Sequence, residues 1–396
     1  MKKTIIAFLF VLLGWGSMAQ EMPIVMDAPE WLMGKDTLRL NAEEGTGDGW
    51  RNWRVGVDVT TFFRDAEFFL PYTKGYTATG FFLNPYVKRT IGVHAQLTLG
   101  LHLAGVAGYE GIRKWKPLVR LDYQPHPNWR LVMGSLYGTL THGLFEPMLD
   151  RERYIYDHQE EGVQILGRLA FGPTQLKTDT WVHWEELLEP WQPTQERFTL
   201  GSNNDFHLLD FAIRESEFGV SVPFSFLGSH RGGQFTSLDT CIQTLFNENV
   251  GMRLYWSKQN KHSLRLDMPF FFYQDMSPTK CMAYDNGWGA WPQLSWNCAL
   301  PNRTPRSRWF GEWQMQLQAG YWYGHQFIAP RGSYLFQSIS WHDALFAVQE
   351  REMLTAKAAL ENHYGNLSLG LDAEFYYDLR EKGLDMAVGL YMRYKL

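Results

Sequence analysis

The links between strand-like segments sort by length, and that ordering constrains this chain more than any motif in it. From Trp53 to Leu396, stretches of alternating polarity follow one another: 53–63, 77–88, 91–104, 115–124, 128–138, 162–171, 174–184, 203–213, 217–227, 248–257, 262–273, 286–297, 308–324, 351–361, 366–378 and 383–396. In IGVHAQLTLGLHLAG (91–105), Ile91, Val93, Ala95, Leu97, Leu99, Leu101 and Leu103 share one parity, while His94, Gln96, Thr98 and His102 share the other. Successive strand residues point to opposite faces, so each stretch has an oily side and a wet side. Short links such as KRT (88–90), RES (214–216) and KQNK (258–261) take turns with long ones such as 139–161, 185–202, 228–247 and 325–350. A membrane barrel has short turns at its periplasmic end and longer loops outside. A soluble sandwich or propeller has no reason to sort its connections this way.

The expected fold class is all-β: a transmembrane up-and-down antiparallel β-barrel of about 16 strands covering 53–396. An even count brings Leu396 back to the side on which the first strand begins, so both ends of the barrel lie in the periplasm. One segment leaves the count open. NGWGAWPQLSWN (286–297) carries Pro292 in its middle. A Cys281–Cys298 bridge would hold the two Cα atoms ~4.4–6.8 Å apart and fold this segment back, leaving about 14 strands.

Residues 1–19 are expected to form a signal peptide, with Lys2 and Lys3 ahead of an apolar run from Ile5 to Leu13 and small residues at Ser17 and Ala19. Residues 20–52 lack periodicity and are expected to form a periplasmic N-terminal lead. Aromatics make up 16% of the chain, with 17 Trp, and this excess needs a place where one end of a ring is dry and the other wet. Trp53, Phe63, Trp115, Tyr123, Trp129, Tyr137, Trp184, Trp256, Tyr273, Trp309, Tyr323, Tyr377 and Tyr394 fall on the apolar parity near segment ends, as girdles at two lipid interfaces require. A net charge of -5 and a pI near 6.2 argue against a nucleic-acid partner.

The last stretch, GLDMAVGLYMRYKL, puts Leu384, Met386, Val388, Leu390, Met392, Tyr394 and Leu396 on one face. An amphipathic strand ending at the terminal residue resembles the assembly signal of Gram-negative outer-membrane barrels, and 53–396 as a whole resembles the porin-like barrels. That resemblance implies the cell outer membrane of a Gram-negative bacterium, with the lipid bilayer and the outer-membrane assembly machinery as partners. It also implies a monomer or homotrimer, and a third external loop folded into the channel. Glu146, Asp150, Arg151 and Arg153 of 139–161 would then face Arg120, Arg130 and Arg168 of the wall and set a transverse field across the pore.

Arg54, Arg120, Arg130, Arg168 and Lys357 share the predicted inner face with Asp58, Asp122, Asp372 and Glu374. An Arg or Lys facing lipid at mid-depth costs about 2–4 kcal/mol, so this set lines a wet interior. His94, His102 and Asp122 are expected to face that lumen. The two histidines stand roughly 26 Å apart at strand rise and share no metal ion. No metal or cofactor is expected. In GSHRGGQ (228–234), His230 and Arg231 are expected to project over the pore from the start of a long loop.

The expected function is passive diffusion of small hydrophilic solutes through this lumen, with no catalytic residues and no enzyme activity. No GxSxG, HExxH or Walker loop is present. Two alternatives stay open. One is a surface interaction or envelope-attachment barrel with a blocked lumen. The other is an outer-membrane barrel hydrolase, lipase or protease, with its site at the rim and His183 or His230 as base.

Overall fold

The computed structural model describes residues 53–109, 111–138, 141–156, 159–187, 194–233, 241–258, 261–300, 312–343 and 345–396. The expected signal peptide and lead, and the girdle position Trp309, lie outside the described residues. Strands β1 (Trp53–Glu67), β2 (Tyr76–Ile91), β3 (Ala95–Val106), β4 (Lys114–His126) and β5 (Trp129–Ser135) come first. A long loop with one short helix, α1 (Arg153–Tyr156), then leads to β6 (Glu161–Phe171), β7 (Thr174–Glu186) and β8 (Arg197–Ile213). The wall continues with β9 (Ser216–Arg231), β10 (Gln243–Lys258), β11 (His262–Asp275), β12 (Asn286–Ala290) and β13 (Gln293–Leu300). It ends with β14 (Glu312–His325), β15 (Glu350–Tyr364), β16 (Leu367–Asp378) and β17 (Gly383–Lys395).

All pairings are antiparallel, and β1 pairs with both β2 and β17, so the sheet closes on itself and leaves no edge. Both β12 and β13 lie between β11 and β14. They are two halves of one wall strand, interrupted at Trp291 and Pro292 because Pro292 has no N–H to give the ladder. The Trp291 N–H donates to the Pro269 carbonyl and the Tyr321 N–H to the Pro292 carbonyl, each at 3.1 Å, which carries the ladder across the break. The seventeen segments therefore build a closed 16-strand barrel. The disulfide joins Cys241 to Cys281, with Cα atoms 6.4 Å apart, and Cys298 is a buried free thiol. The fourteen-strand alternative falls with the bridge it required.

The barrel is turned inside out relative to a soluble fold, as an outer-membrane barrel must be. In β3, Leu99 and Leu101 are exposed on the outer wall, whereas Thr98 and His102 are buried inside. Val119, Leu121, Leu254, Leu294, Leu317, Leu371 and Leu390 extend the apolar exterior. Two girdle assignments are corrected. Tyr137 and Tyr273 point inward, because each hydroxyl has an acceptor there: Tyr137 donates to Asp122 at 2.7 Å, and Tyr273 to the Tyr284 carbonyl at 3.1 Å.

The outer half of the interior is not a plain aqueous channel. The loop after β5 and the loop between β14 and β15 both fold inward, bringing Leu144, Met148, Leu149, Phe327, Ile328 and Phe336 against Trp181, Phe271, Trp291 and Trp322 of the wall. The two loops touch closely at Gly332, where an added Cβ would stand 1.9 Å from the Pro147 carbonyl oxygen. Apolar burial of this kind, at roughly 25 cal/mol per Å², holds both loops inside the barrel.

Candidate active site

Three constellations of polar side chains lie toward the external end of the barrel, and each is fixed by a different part of the wall. The first forms where the inward loop crosses to β15 and β16. Glu146 forms an ion pair with Lys357, and the Tyr376 hydroxyl lies 2.6 Å from Glu146 Oε1 and 2.5 Å from Glu374 Oε2. Arg64 of β1 reaches Asp372 at 2.6 Å, Glu152 at 3.0 Å and Glu374 at 3.3 Å. Next to this network, α1 is pinned to the inner wall by Ile155, which is buried with Phe62, Phe82, Ala104 and Tyr391.

Between the network and the second inward loop is a cavity of about 30 Å³, lined by Arg64, Phe68, Glu146, Asp150, Arg151, Glu152, Ser333, Glu374 and Tyr376 among others. That is room for a water or two, at roughly 10–15 Å³ each. Asp150 is built into its wall from both loops. Its backbone N–H donates to the Arg331 carbonyl at 2.7 Å, and its carboxylate accepts from the Glu152 N–H at 2.9 Å and the Tyr156 hydroxyl at 3.3 Å. Burial, and then the neighbouring Glu152 carboxylate, push the Asp150 carboxyl up to about 7. Arg151 Nη1 is buried with no hydrogen-bond partner among the described residues. A donor left in that state costs about 1–3 kcal/mol, which an incoming oxygen would relieve. Phe69, beside the cavity residue Phe68 on the β1–β2 loop, is 69% exposed at the rim.

The second constellation is a clamp. His142 Nδ1 lies 2.8 Å from Asp179 and Nε2 lies 3.0 Å from Glu160, so both ring nitrogens face carboxylates. The ring stacks on Trp181, and Asn203 donates to the His142 carbonyl at 2.7 Å. Burial alone would lower the His142 pKa, but Asp179 and Glu160 overcome it and push it up to about 9. An imidazolium held by two anions is a poor general base and a good latch.

The third lies on the outer wall. His230 sits on the lipid side by strand parity, with Nδ1 2.9 Å from the Thr244 hydroxyl and Nε2 3.1 Å from the Gly232 carbonyl. Its ring packs on Phe198. The expectation that it overhangs a pore is therefore corrected. Arg231, its neighbour, keeps the inner parity and donates to Gln195 at 2.9 Å. His183 is buried on the inner face of β7.

The residues expected to form a transverse field are not brought together. Arg120 donates to the Ser135 and Leu136 carbonyls, Arg130 donates to Tyr137, and Arg168 lies cross-strand from Lys177. Glu146 and Asp150 instead meet groups from the far wall and the second loop, because the loop crosses the lumen instead of lying along its own wall. His102 and Asp122 are buried inside, with His102 Nδ1 2.5 Å from Asn84 Oδ1, while His94 sits in the β2–β3 turn at the short-turn end of the barrel, 2.9 Å from the Gln124 carbonyl, and not on the lumen wall as expected. Arg64, Glu152 and Tyr376 were not singled out beforehand. Arg64 lies on the inner parity of β1, and that parity was its one signal.

The family model of Lipid A 3'-O-deacylase-type proteins matches residues 47–396. The chain belongs to that family. A search of curated proteins by sequence finds no match. Among solved structures, a loop L8 deletion mutant of Vibrio cholerae OmpT is 8% identical with a TM-score of 0.47, covering 87% of this chain and 99% of that one. Pseudomonas aeruginosa OprD is 8% identical with a TM-score of 0.48, covering 89% and 97%. A BenF-like porin from Pseudomonas fluorescens Pf-5 is 9% identical with a TM-score of 0.48, covering 87% and 98%. The membership in a hydrolase family overturns the expected passive channel for small hydrophilic solutes, and with it the expectation that the chain is no enzyme. The apolar cluster of the two inward loops agrees with that correction, since it occupies the space that a diffusion channel would keep wet.

Proposed function

We propose that this outer-membrane barrel hydrolyses an acyl ester of lipid A, with the Asp150 cavity as its active site. The family membership supports the reaction class. The observation that carries the site is one small cavity holding both a carboxyl near neutrality and an unsatisfied guanidinium N–H. A general base works best when its pKa lies near the working pH, and a preorganised donor stabilises charge that appears only in the transition state.

The Asp150 carboxylate takes a proton from a water in the cavity as that water attacks the ester carbonyl carbon. The carbonyl oxygen becomes an oxyanion and accepts a hydrogen bond from Arg151 Nη1. The C–O bond to the sugar then breaks, and the proton on Asp150 passes to the leaving sugar oxygen, giving a free fatty acid and an alcohol. Arg64, Glu146, Lys357, Glu374 and Tyr376 hold the loop against the wall so that Asp150 and Arg151 keep their positions.

Purified protein in detergent is incubated with lipid A, and the lipid is followed by mass spectrometry. Loss of the mass of one acyl chain is expected, with Asp150→Asn slowed by about 100-fold or more, a typical effect of removing a general base. Undiminished turnover by the Asp150→Asn protein removes Asp150 from the reaction.

A further inference from the structure

The external end of the barrel carries a group of arginines that the hydrolytic cavity does not use. Arg197 of β8 and Arg231 of β9 are direct cross-strand partners on the inner parity. Arg331, from the second inward loop, forms an ion pair with Glu185, which also accepts from the Thr199 hydroxyl at 2.7 Å. Arg197 pairs with Glu186 at 3.1 Å. Arg153, at the start of α1, lies close enough to Arg331 to depress its pKa, after burial, and Arg197 adds to that repulsion.

Like charges gathered at one site repel, and the repulsion is relieved by an anion. The hydrogen bonding points the same way. Arg197 Nε and Arg331 Nε are both buried without a partner among the described residues, although other atoms of the same guanidinium groups are paired. A guanidinium N–H is a strong donor to a phosphate oxygen, and here the Nε–H of each arginine is left over beside an Nη2 that a glutamate already holds, so an incoming anion oxygen would satisfy it. The site adjoins the hydrolytic cavity, since the Asp150 N–H donates to the Arg331 carbonyl.

We propose that Arg197, Arg231 and Arg331, with Arg153, bind a phosphate monoester on the sugar of the lipid substrate and so position its ester at the Asp150 cavity. This inference rests on the proposed lipid A hydrolysis. It adds the headgroup phosphate as the recognition element.

The test uses binding by the full chain in detergent micelles, read by isothermal titration with lipid A and with lipid A stripped of phosphate by a phosphatase. The phosphorylated lipid is expected to bind about ten-fold tighter or more, the scale of one charge-assisted contact. The Arg197→Gln/Arg231→Gln protein is expected to bind both lipids at the level of the stripped one. If that double variant loses its β-sheet circular dichroism, Arg231→Gln alone, at an exposed position, serves instead. Equal affinity of the native protein for the two lipids, or a preference that survives in the variant, overturns the proposal. Competition by inorganic phosphate without any preference between the lipids assigns the arginines to a free anion and also overturns it. A retained phosphate preference without ester cleavage sinks the hydrolase reading and leaves the phosphate site standing.

Discussion

His142 lies flat on Trp181, with ring centroids 3.5 Å apart and planes 6° from parallel, while both of its nitrogens face carboxylates. This contact ties the inward loop to the wall. Its strength depends on charge, because only the imidazolium donates to Asp179 and Glu160 at once.

The latch therefore has a pH window. The ordinary histidine value is 6.5, and His142 is pushed up to about 9 in the folded protein. A group raised on folding contributes fully below its unfolded value and loses that contribution as pH climbs through the folded one. Hydrogen exchange in peptides from 136–160, corrected for intrinsic rates, is expected to be slowest below about pH 6.5, to accelerate progressively as pH climbs to about 9, and to level off above it. Exchange that remains flat through that range sinks the latch.

The same loop depends on a residue that lacks a side chain. An added Cβ at Gly201 would stand 2.2 Å from Trp181, so the indole lies over the wall only because residue 201 is glycine. Gly201→Val is expected to displace Trp181 and with it His142, at a cost of about 1–3 kcal/mol for overpacking. Urea unfolding in detergent measures this, and the exchange protection of 136–160 should fall in the same variant at pH 7. A variant as stable as the native protein would show that the Trp181 contact holds nothing in place.

Lys357 presents a different energetic case. It is buried and faces both Glu146 and Glu374, the latter at 3.5 Å. Removing one partner of a buried pair strands the other charge, so Lys357→Met is expected to cost about 3–5 kcal/mol. Glu146→Gln in the same chain removes one stranded charge, so the double variant is expected to recover part of that loss. A double-mutant cycle on unfolding free energies checks this, and simple additivity of the two changes would rule out the coupling.

The wall was legible in the sequence because lipid imposes one rule on every strand. Leu99 and Leu101 had to alternate with Thr98 and His102 wherever the chain crossed the bilayer, and the long and short links marked which end was which. The interrupted strand at Trp291 and Pro292 was legible too, but its partners decided whether it spanned. Leu144, Met148, Phe327 and Ile328 showed no period, so nothing in the sequence placed them inside. Glu146 and Asp150 stood out as charges on a loop, yet Glu146 meets Lys357 from 211 positions away. Such a meeting depends on barrel closure and loop direction, which local pattern does not encode. The hydrolase reading stood only as an alternative, with His183 or His230 as base, because the proposed site has no sequence signal: Asp150 is set apart by burial and neighbours, and an aspartate in a charged loop looks like any other.

Those surroundings make the last prediction specific. The Asp150 carboxyl stands near 7 because burial, and then Glu152, disfavour its ionised form, and the ionised form is the base in the proposed reaction. The sign follows directly. The carboxyl is protonated and idle below about pH 6 and ionised above about pH 8, so kcat/KM for ester cleavage should rise through an apparent pKa near 7. At the other end, neutralising His142 near 9 releases the loop that carries Asp150, and the rate should fall again. The expected profile is a bell with limbs near 7 and 9. Substitution separates the two causes. His142→Gln, which accepts and donates without titrating, should abolish the alkaline limb and keep the acid one. An acid limb that stays at the ordinary aspartate range near 4 would remove Asp150 as the base, whatever the rate at neutral pH.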